Sequence, residues 1–210
     1  MNNSRQFVVV DLDGTLIDEN SMTMFVRYSF RLLVRRGRLG DAWRVMKAVF
    51  KRKIGLTSHR EMKYCIMTVL YPALSGDDIR SFARSLAGKV NRVVMQIVDE
   101  ALSRGQRVVL ATAAPDIYIP EFAGILGIDL FTATKMTGDV DSYEENRGEI
   151  KKKRVVELVD SLDGYIETVI TDHLDDIPLL LHCHGTNLIV SPGAKTLLAL
   201  KNNGIKYNLV

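Results

Sequence analysis

The sequence predicts an α/β fold: a three-layer, doubly wound parallel sheet with an inserted helical cap. Short apolar strands alternate with segments of helical periodicity, which is the pattern of parallel strands joined by helical crossovers. The hydrophobic fraction is 47% over 210 residues, which is near the globular average and enough to bury a core. The long stretch between Asp11 and Arg107 carries helix signals and no strand signal.

The strands and helices of the core are predicted in the following order. The first strand is Phe7–Val10, an apolar run that ends at Asp11. The second is 107–112, after a helical segment that ends at Gly105, since glycine readily takes the left-handed conformation at a helix end. The remaining elements are helix 116–126, strand 130–133, helix 148–162, strand 166–171, helix 176–182, strand 187–190 and helix 193–202.

Residues 18–90 are predicted to form the cap, with roughly four helices, and residues 1–17 with 91–210 to form the catalytic core. The spacings Ser58 to Glu61 and Ser75 to Asp78 are typical of helix N-caps with an acid at the third helical position. Cys65 falls among apolar residues at helical spacing, so we expect it in the core.

Composition excludes several classes of protein. No apolar run reaches the roughly 18 residues of a membrane-spanning helix, and the first residues lack the apolar centre of a signal peptide. Cys65 and Cys183 are the only cysteines, too few for a disulfide framework. We therefore expect a cytoplasmic protein, with contact at the inner face of a membrane left open as an alternative.

Two carboxylates follow the first strand, in the segment Asp11-Leu-Asp13-Gly-Thr15. The carboxyl ends of parallel strands meet at one edge of an open sheet, where ligands bind. Two carboxylates beside a glycine that permits a sharp turn can serve a divalent cation and act as a nucleophile. A capped loop is the alternative interpretation of this segment alone.

Polar residues follow the later strands as well. Thr112 ends the second strand and Ala113 follows it, and together they offer a hydroxyl and backbone amides to an anionic oxygen. Lys151, in the helix after the third strand, can neutralise a phosphoryl group. Asp172 and Asp176 follow the fourth strand and are hard-oxygen ligands suited to Mg²⁺. Each signal is weak alone, but four in this order, at four strand ends, indicate one site.

These motifs resemble those of the haloacid dehalogenase-like superfamily, and within it the phosphoserine-phosphatase-like branch. The segment 11–16 matches the first motif of the superfamily, Thr112 the second, Lys151 the third, and Asp172 with Asp176 the fourth. The resemblance covers the chain outside the helical insertion, whose position matches the mobile cap of the family. It implies a Rossmann-like core and phosphatase activity.

The resemblance also implies a role for each motif residue. Asp11 would be the nucleophile that forms an aspartyl-phosphate, and Asp13 the general acid and base. Mg²⁺ would be held by Asp11, the backbone carbonyl of Asp13 and Asp172, with Asp176 orienting the waters of the ion. Three residues would contact the phosphoryl oxygens: Thr112, Ala113 and Lys151.

The chain departs from the branch at three positions. Phosphoserine enzymes carry a substrate-reading Glu nine residues beyond the nucleophile, where this chain has Asn20, with Glu19 one place earlier. We keep both as candidate substrate-binding residues, and phosphoserine itself is not predicted as the substrate. Thr171 stands where the branch has Gly, and His173 stands where a small residue is common. His173 is interpreted either as a tolerated loop residue or as a neighbour of the metal's outer shell.

Positive charge is concentrated in the predicted cap. Residues 27–63 contain twelve Lys and Arg against two acids, a net +10, so the remainder of the +3 chain carries −7. Three interpretations stay open: a solvated helical face, a mouth that steers an anionic substrate, and contact with an anionic membrane surface. Nucleic acid is not an expected partner, because no base-stacking or recognition-helix motif accompanies the charge.

The leading functional hypothesis is a Mg²⁺-dependent phosphomonoester hydrolase acting on a small phosphorylated metabolite or a lipid-linked phosphate. One alternative is a phospholipid phosphatase of the phosphatidylglycerophosphate type at the membrane surface. The others are a phosphotransferase that passes the group to an alcohol and a non-catalytic phosphate-binding module of the same fold. No oligomeric state follows from the sequence.

Overall fold

The computed structural model describes residues 5–210, which are built around a six-stranded sheet. The strands are β1 (Arg5–Val10), β2 (Arg107–Pro115), β3 (Leu130–Thr134), β4 (Gly164–Thr171), β5 (Thr186–Ile189) and β6 (Asn208–Leu209). All neighbouring strands pair in parallel, in the order β3-β2-β1-β4-β5-β6. The predicted α/β doubly wound class is confirmed.

Helices cover the sheet and fill the long segment after β1. Five helices lie between β1 and β2, and the first four, which we call the four-helix segment, are α1 (Ser21–Arg35), α2 (Leu39–Lys53), α3 (His59–Leu70) and α4 (Gly76–Ala87). The others are α5 (Arg92–Ser103), α6 (Ile119–Ile125), α7 (Glu149–Asp160), α8 (Ile177–Leu180) and α9 (Ala194–Asn202), with a 3₁₀ turn at Leu174–Asp176 before α8. Within residues 5–210, no helix is both long and apolar enough to cross a membrane.

Alternate residues of the central strand β1 face opposite layers. Val8 and Val10 belong to a buried cluster that includes α5 and α6 and continues into α1–α4. Phe7 and Val9 belong to a second cluster, with residues of α7, α8 and α9. Because successive strand side chains point to opposite faces, the two clusters lie on the two sides of the sheet. The predicted three layers follow from this alternation.

The strand order determines where the ligand crevice lies. β1 lies between β2 and β4, so the sheet grows first in one direction from β1 and then in the other. In open parallel sheets the crevice opens at the carboxyl ends of strands at such a switch point. Asp11 directly follows β1 and Asp172 directly follows β4, and the Asp11 N–H donates to the carbonyl of Ile170 at 2.9 Å. The topology thus brings two predicted site residues to one edge.

The chain enters and leaves the four-helix segment through neighbouring residues. Ile17 forms an isolated bridge with Val90. Inside the segment, α1 and α4 rest on α6, where the rings of Phe25 and Phe82 have centroids 4.9 Å and 5.0 Å from that of Tyr118. Helices α2 and α3 pack against each other farther along the segment. The division into a core of 1–17 with 91–210 and a cap of 18–90 stays a prediction.

Both predicted N-caps of the four-helix segment are confirmed. The hydroxyl of Ser58 accepts the N–H of Glu61, and the Ser75 hydroxyl accepts that of Asp78, with the acid side chain bonding back in each case. The prediction for Cys65 is wrong, because its side chain is exposed. The buried face of α3 is formed instead by four other residues: Lys63, Ile66, Met67 and Leu70.

Two core elements differ from the predicted bounds. β2 continues past Thr112 to Pro115, which pairs with Thr134 beyond a register shift. The predicted helix 176–182 is instead a 3₁₀ turn followed by the four-residue α8. It ends early because the chain has already turned back to the sheet at His184, whose N–H donates to the Ile166 carbonyl at 2.9 Å.

Candidate active site

A polar pocket of about 280 Å³ opens at the carboxyl edge of the sheet. Three strand ends and the first turn of α7 bring together Asp11, Thr112, Asp172 and Lys151. Four more predicted residues line the same pocket: Asp13, Asn20, Ala113 and Asp176. Every predicted site residue except Glu19 therefore lies at this pocket.

Lys151 is buried in the first turn of α7 and bonds two carboxylates. Its Nζ lies 2.7 Å from Oδ1 of Asp11 and 2.7 Å from Oδ2 of Asp176. Gly148 precedes the helix with a φ of 59°, a left-handed conformation that glycine adopts without steric cost. This turn lets α7 begin beside the site, so that Lys151, its third residue, lies between the carboxylates of Asp11 and Asp176.

The hydroxyl of Thr15 lies between the carboxylates that follow β1 and β4. Its Oγ1 is 3.3 Å from Oδ2 of Asp11 and 3.3 Å from Oδ1 of Asp172. Gly14 has a φ of 83°, and a Cβ at this position would collide with Oδ2 of Asp172. The glycine of the first motif is therefore required both by its backbone conformation and by the close approach of Asp172.

Asp13 is held by the start of α1. The backbone N–H of Ser21 donates to Oδ1 of Asp13 at 2.8 Å, and Nδ2 of Asn20 lies 3.4 Å from Oδ2. Burial raises the pKa of Asp13, although the hydrogen bond from Ser21 opposes the rise. A raised pKa increases the protonated fraction of the carboxyl group near neutral pH, which is the form that a general acid needs.

Burial also shifts the pKa of the other ionisable groups at the site. It raises the pKa of Asp11 to about 7, against the opposing effect of Lys151, and it raises the pKa of Asp172. Burial alone would lower the pKa of Lys151, but the carboxylates of Asp11 and Asp176 together raise it. The ammonium therefore stays charged, and it is the cation that these carboxylates share.

The carboxylates outnumber the buried cation, and their chemistry fits Mg²⁺. Asp11 and Asp172 offer oxygens on either side of Thr15, and Mg²⁺ is bound by one or two carboxylates while keeping several waters. Within residues 5–210, no three acidic, His or Cys side chains converge as ligands. The predicted set needs only two side-chain carboxylates, since its third ligand is a main-chain carbonyl, so the donor set agrees with the arrangement.

Thr171 has a role that the sequence did not suggest. Its hydroxyl donates to Oδ2 of Asp176 at 2.7 Å, the same oxygen that Lys151 bonds. His173 is half exposed, and its Nδ1 accepts the N–H of Asp175 at 3.2 Å, so the side chain caps the 3₁₀ turn. Thr171 thus holds a site carboxylate, and His173 caps the 3₁₀ turn from a position in the lining of the polar pocket.

The structure separates Glu19 from the other predicted site residues. Its side chain forms an ion pair with Lys89 and lies outside the polar pocket. Asn20 does line the pocket, and its Oδ1 caps α1 by accepting the N–H of Thr23 at 2.9 Å. The difference arises because Lys89, at the far end of the four-helix segment, is brought next to Glu19 where the chain returns to the core.

Two residues of α3 reach the pocket without having been predicted as site residues. Lys63 is buried, and its Nζ lies 2.6 Å from Oε2 of Glu145 in the loop before α7. His59 lines the pocket beside it, and burial followed by the nearby Lys63 charge lowers the pKa of the imidazole. The signal for Lys63 was its spacing of three and four residues from the apolar Ile66 and Met67, which places it on the buried face.

The last residues of β2 are held by Asn146. Its Nδ2 donates to the Thr112 carbonyl at 2.9 Å and lies 3.1 Å from Oγ1 of Thr132. The Thr112 hydroxyl accepts the N–H of Ala114 at 3.0 Å, which leaves its own proton free to donate. Thr112 can therefore offer a hydrogen bond to an anionic oxygen in the pocket.

A family model for haloacid dehalogenase-like hydrolases matches residues 8–181. The chain belongs to this family. The matched range includes all four strand-end motifs, so the predicted family and the prediction of an enzyme are confirmed. A search of curated proteins gave no match.

Several solved structures share the fold. A protein of unknown function from Bordetella pertussis Tohama I aligns with a TM-score of 0.74 at 18% identity, covering 99% of each chain. The phospho-aspartyl intermediate analogue of phosphoserine phosphatase aligns with a TM-score of 0.58 at 12% identity, covering 99% of this chain and 93% of that one. A phosphoserine phosphohydrolase-like protein from Francisella tularensis subsp. tularensis SCHU S4 aligns at 0.59 and 16%, covering 98% and 94%. At these identities the likeness shows the fold.

Proposed function

We propose that this chain is a Mg²⁺-dependent phosphomonoester hydrolase that works through a phosphorylated Asp11. The observation that carries the proposal is the mostly buried carboxylate of Asp11, whose Oδ1 is held by Lys151 and whose Oδ2 faces the hydroxyl of Thr15. One of the similar structures is described as a phospho-aspartyl intermediate analogue, which supports a nucleophilic aspartate at this place in the fold.

The reaction would take place in two displacements. In the first, an oxygen of Asp11 bonds to phosphorus while the bond from phosphorus to the ester oxygen breaks, and protonated Asp13 gives its proton to the departing alcohol. In the second, Asp13 takes a proton from water, whose oxygen attacks phosphorus, and the bond to Asp11 breaks to release phosphate. Covalent catalysis of this kind divides one difficult step into two easier ones.

The phosphoryl group would be bound by residues from three elements. An ammonium group has three protons, and Lys151 donates two of them to Asp11 and Asp176, which leaves one for a phosphoryl oxygen. Thr112 would donate its free hydroxyl proton, and Ala113 lies beside it in the lining of the pocket. This arrangement directs donors at the charge that develops on phosphorus oxygens during transfer.

Asp11, the main-chain carbonyl of Asp13 and Asp172 would hold Mg²⁺, and Asp176 would orient the waters of the ion. When bound, the ion cancels the repulsion between the nucleophilic carboxylate and the phosphate dianion. The excess of carboxylates over the buried Lys151 supports a divalent cation at this site.

The exposed surface of α1 and α2 favours an accompanying role in contact with an anionic membrane. Eight large hydrophobic side chains, which we call the α1–α2 patch, are exposed between residues 34 and 56: Val34, Leu39, Trp43, Met46, Val49, Phe50, Ile54 and Leu56. Of the twelve basic residues in 27–63, all except Lys63 are exposed. Exposed apolar and basic side chains on one pair of helices are typical of a surface that lies on anionic lipid. We therefore propose a cytoplasmic enzyme that works at the inner face of a membrane.

Two alternatives predict different products. A phosphotransferase would use the same first displacement and pass the phosphoryl group from Asp11 to an alcohol instead of water. A non-catalytic module would bind phosphate without turnover. The complete set of Asp11, Asp13, Lys151 and Asp172 in one pocket favours catalysis.

The substitution Asp11→Asn tests the proposal. With an aryl phosphate and Mg²⁺ we expect no hydrolysis by this variant and no loss of folding stability, since the change removes a buried charge. Asp175→Asn is the matched control, because Asp175 lines the same pocket and has no proposed step. EDTA should stop the wild-type reaction. Turnover retained by Asp11→Asn would refute the assignment, and product analysis with added alcohols would distinguish a transferase.

A further inference from the structure

A second cavity, of about 390 Å³, lies between α1, α2 and α3. Its lining is largely apolar and includes Val26, Phe30, Val45, Val49, Met62 and Ile66. Four residues line both this cavity and the polar pocket: Asn20, Met22, His59 and Lys63. The two spaces are therefore neighbours across a shared wall, one polar at Asp11 and the other apolar within the helices.

We propose that this cavity receives an apolar arm of the substrate, so that the substrate class is a phosphate monoester with a hydrocarbon chain. The inference rests on the proposed function, because the phosphate at Asp11 is the fixed end of the substrate. Val45 and Ile66, each 1% exposed, form buried lining, whereas Val49 is 37% exposed and lies at the rim. A hydrocarbon chain attached to a phosphate at Asp11 would thus pass the shared wall at Met22 and run toward the rim.

The charges around the cavity favour a hydrocarbon over an amino acid arm. Its charged lining residues, among those the structure describes, are Arg27 and Lys63, and no carboxylate lines it. Lys63 is held at the shared wall by Glu145, which places a cation toward the phosphate end. An ammonium group such as that of phosphoserine would meet no acidic partner in this cavity, and Glu19 is bound by Lys89 instead.

The unfilled volume of this cavity is a second reason to expect a hydrocarbon ligand. Protein interiors are filled to the density of organic crystals, and an unfilled apolar space costs stability. Pockets of roughly 300–1,000 Å³ with mostly hydrophobic lining are typical of ligand sites. The rim residues Met46 and Val49 also belong to the α1–α2 patch. A chain could accordingly reach the cavity from a lipid layer or from free solution.

The test is a chain-length series measured in two ways. Dissociation constants of n-alkyl phosphonates, which cannot be hydrolysed, report on binding alone, and kcat/KM of the matching n-alkyl phosphates reports on turnover. Burial of a methylene group is worth about fourfold in affinity. We expect the dissociation constant to fall about fourfold per methylene until the cavity is full, and then to level off. Presenting the same alkyl phosphates in phosphatidylcholine vesicles and in free solution distinguishes a substrate taken from a lipid layer from a soluble substrate.

Two variants test whether the chain-length dependence arises in this cavity. Val49→Trp fills the rim and should remove most of the chain-length dependence of the dissociation constant. Val93→Trp, at an exposed position of α5, is the matched control and should behave as wild type. Equal affinity along the series, or an unchanged series in Val49→Trp, would overturn the inference even if short esters are hydrolysed. Chain-dependent phosphonate binding without turnover of any ester would support the cavity and refute the proposed hydrolase.

Discussion

The ammonium of Lys63 lies 2.6 Å from Oε2 of Glu145, and this contact joins α3 to the loop that precedes α7. The two side chains are only 11% and 15% exposed, and both line the polar pocket. Two more hydrogen bonds join α3 to the same loop. Arg60 donates to the carbonyl of Val140 at 2.6 Å, and the Tyr64 hydroxyl donates to the carbonyl of Gly138 at 3.1 Å. Helix α3 is therefore held over the mouth of the site.

The Lys63–Glu145 pair should show coupling in unfolding experiments. Glu145→Gln leaves the mostly buried ammonium without a charged partner and should lower the free energy of unfolding by about 1–3 kcal/mol. The double variant Lys63→Met with Glu145→Gln should recover part of that loss, because no unpaired charge remains. Urea unfolding of the wild type, both single variants and the double variant measures the coupling. Losses that simply add would contradict the contact.

Asp13→Asn should slow reactions according to the leaving group. If Asp13 protonates the departing oxygen, kcat/KM for alkyl phosphates should fall about 10²–10⁴-fold. The loss for p-nitrophenyl phosphate should be much smaller, since nitrophenolate departs without a proton. The measurement is the slope of log kcat/KM against leaving-group pKa, which should be steeper in the variant. An equal loss for all esters would show that Asp13 has no role as an acid.

The ion pair between Asp78 and Arg36, in the four-helix segment, should make the free energy of unfolding depend on pH. Hydrogen bonds of 2.7 Å and 2.8 Å from Arg36, with further bonds from Ser75, lower the pKa of Asp78 to about 2. The pKa in the unfolded chain is about 3.9, so the stabilisation is complete above about pH 5 and is lost as the pH falls toward 2.

Asp78→Asn should therefore cost about 1–2 kcal/mol of unfolding free energy near pH 7, a figure that allows for the partly exposed Arg36. Near pH 2 the variant and the wild type should converge. Urea unfolding over this range measures the difference, and a cost that is the same at both ends would contradict the ion pair as its source.

The α1–α2 patch should bind anionic vesicles through both charge and apolar contact. Trp43→Ser and Phe50→Ser remove side chains that are 69% and 59% exposed, and each should reduce sedimentation with phosphatidylglycerol vesicles. Leu198→Ser, at a position that is 58% exposed in α9, is the control and should have no effect. Wild-type binding should weaken as salt is raised, because exposed charges are screened. Absence of association at low salt would refute membrane contact.

The motif residues could be predicted because short-range patterns place them. Asp11, Thr112 and Asp172 lie at the carboxyl ends of apolar strands, and a parallel topology brings such ends to one edge. Lys151 opens a helix beside them. These positions depend on strand order alone, which alternating strands and helices already indicate.

Other features depend on contacts between distant parts of the chain. The position of Glu19 outside the polar pocket could not be predicted, because its partner, Lys89, is brought to it only when the four-helix segment closes at Ile17 and Val90. Lys63 is one basic residue among twelve in the sequence, and packing of α3 over the loop selects it. β6 was not predicted because a two-residue exposed edge strand has almost no hydrophobic pattern.

In the proposed mechanism, Asp11 carries the phosphoryl group during turnover. Acid quenching of a single turnover, followed by proteolysis and mass spectrometry, locates that group on the chain. We predict a phosphorylated peptide containing Asp11 in the wild type, a larger amount in Asp13→Asn because water is not activated, and none in Asp11→Asn. Release of phosphate by the wild type with the Asp11 peptide unmodified at every quench time would contradict the account.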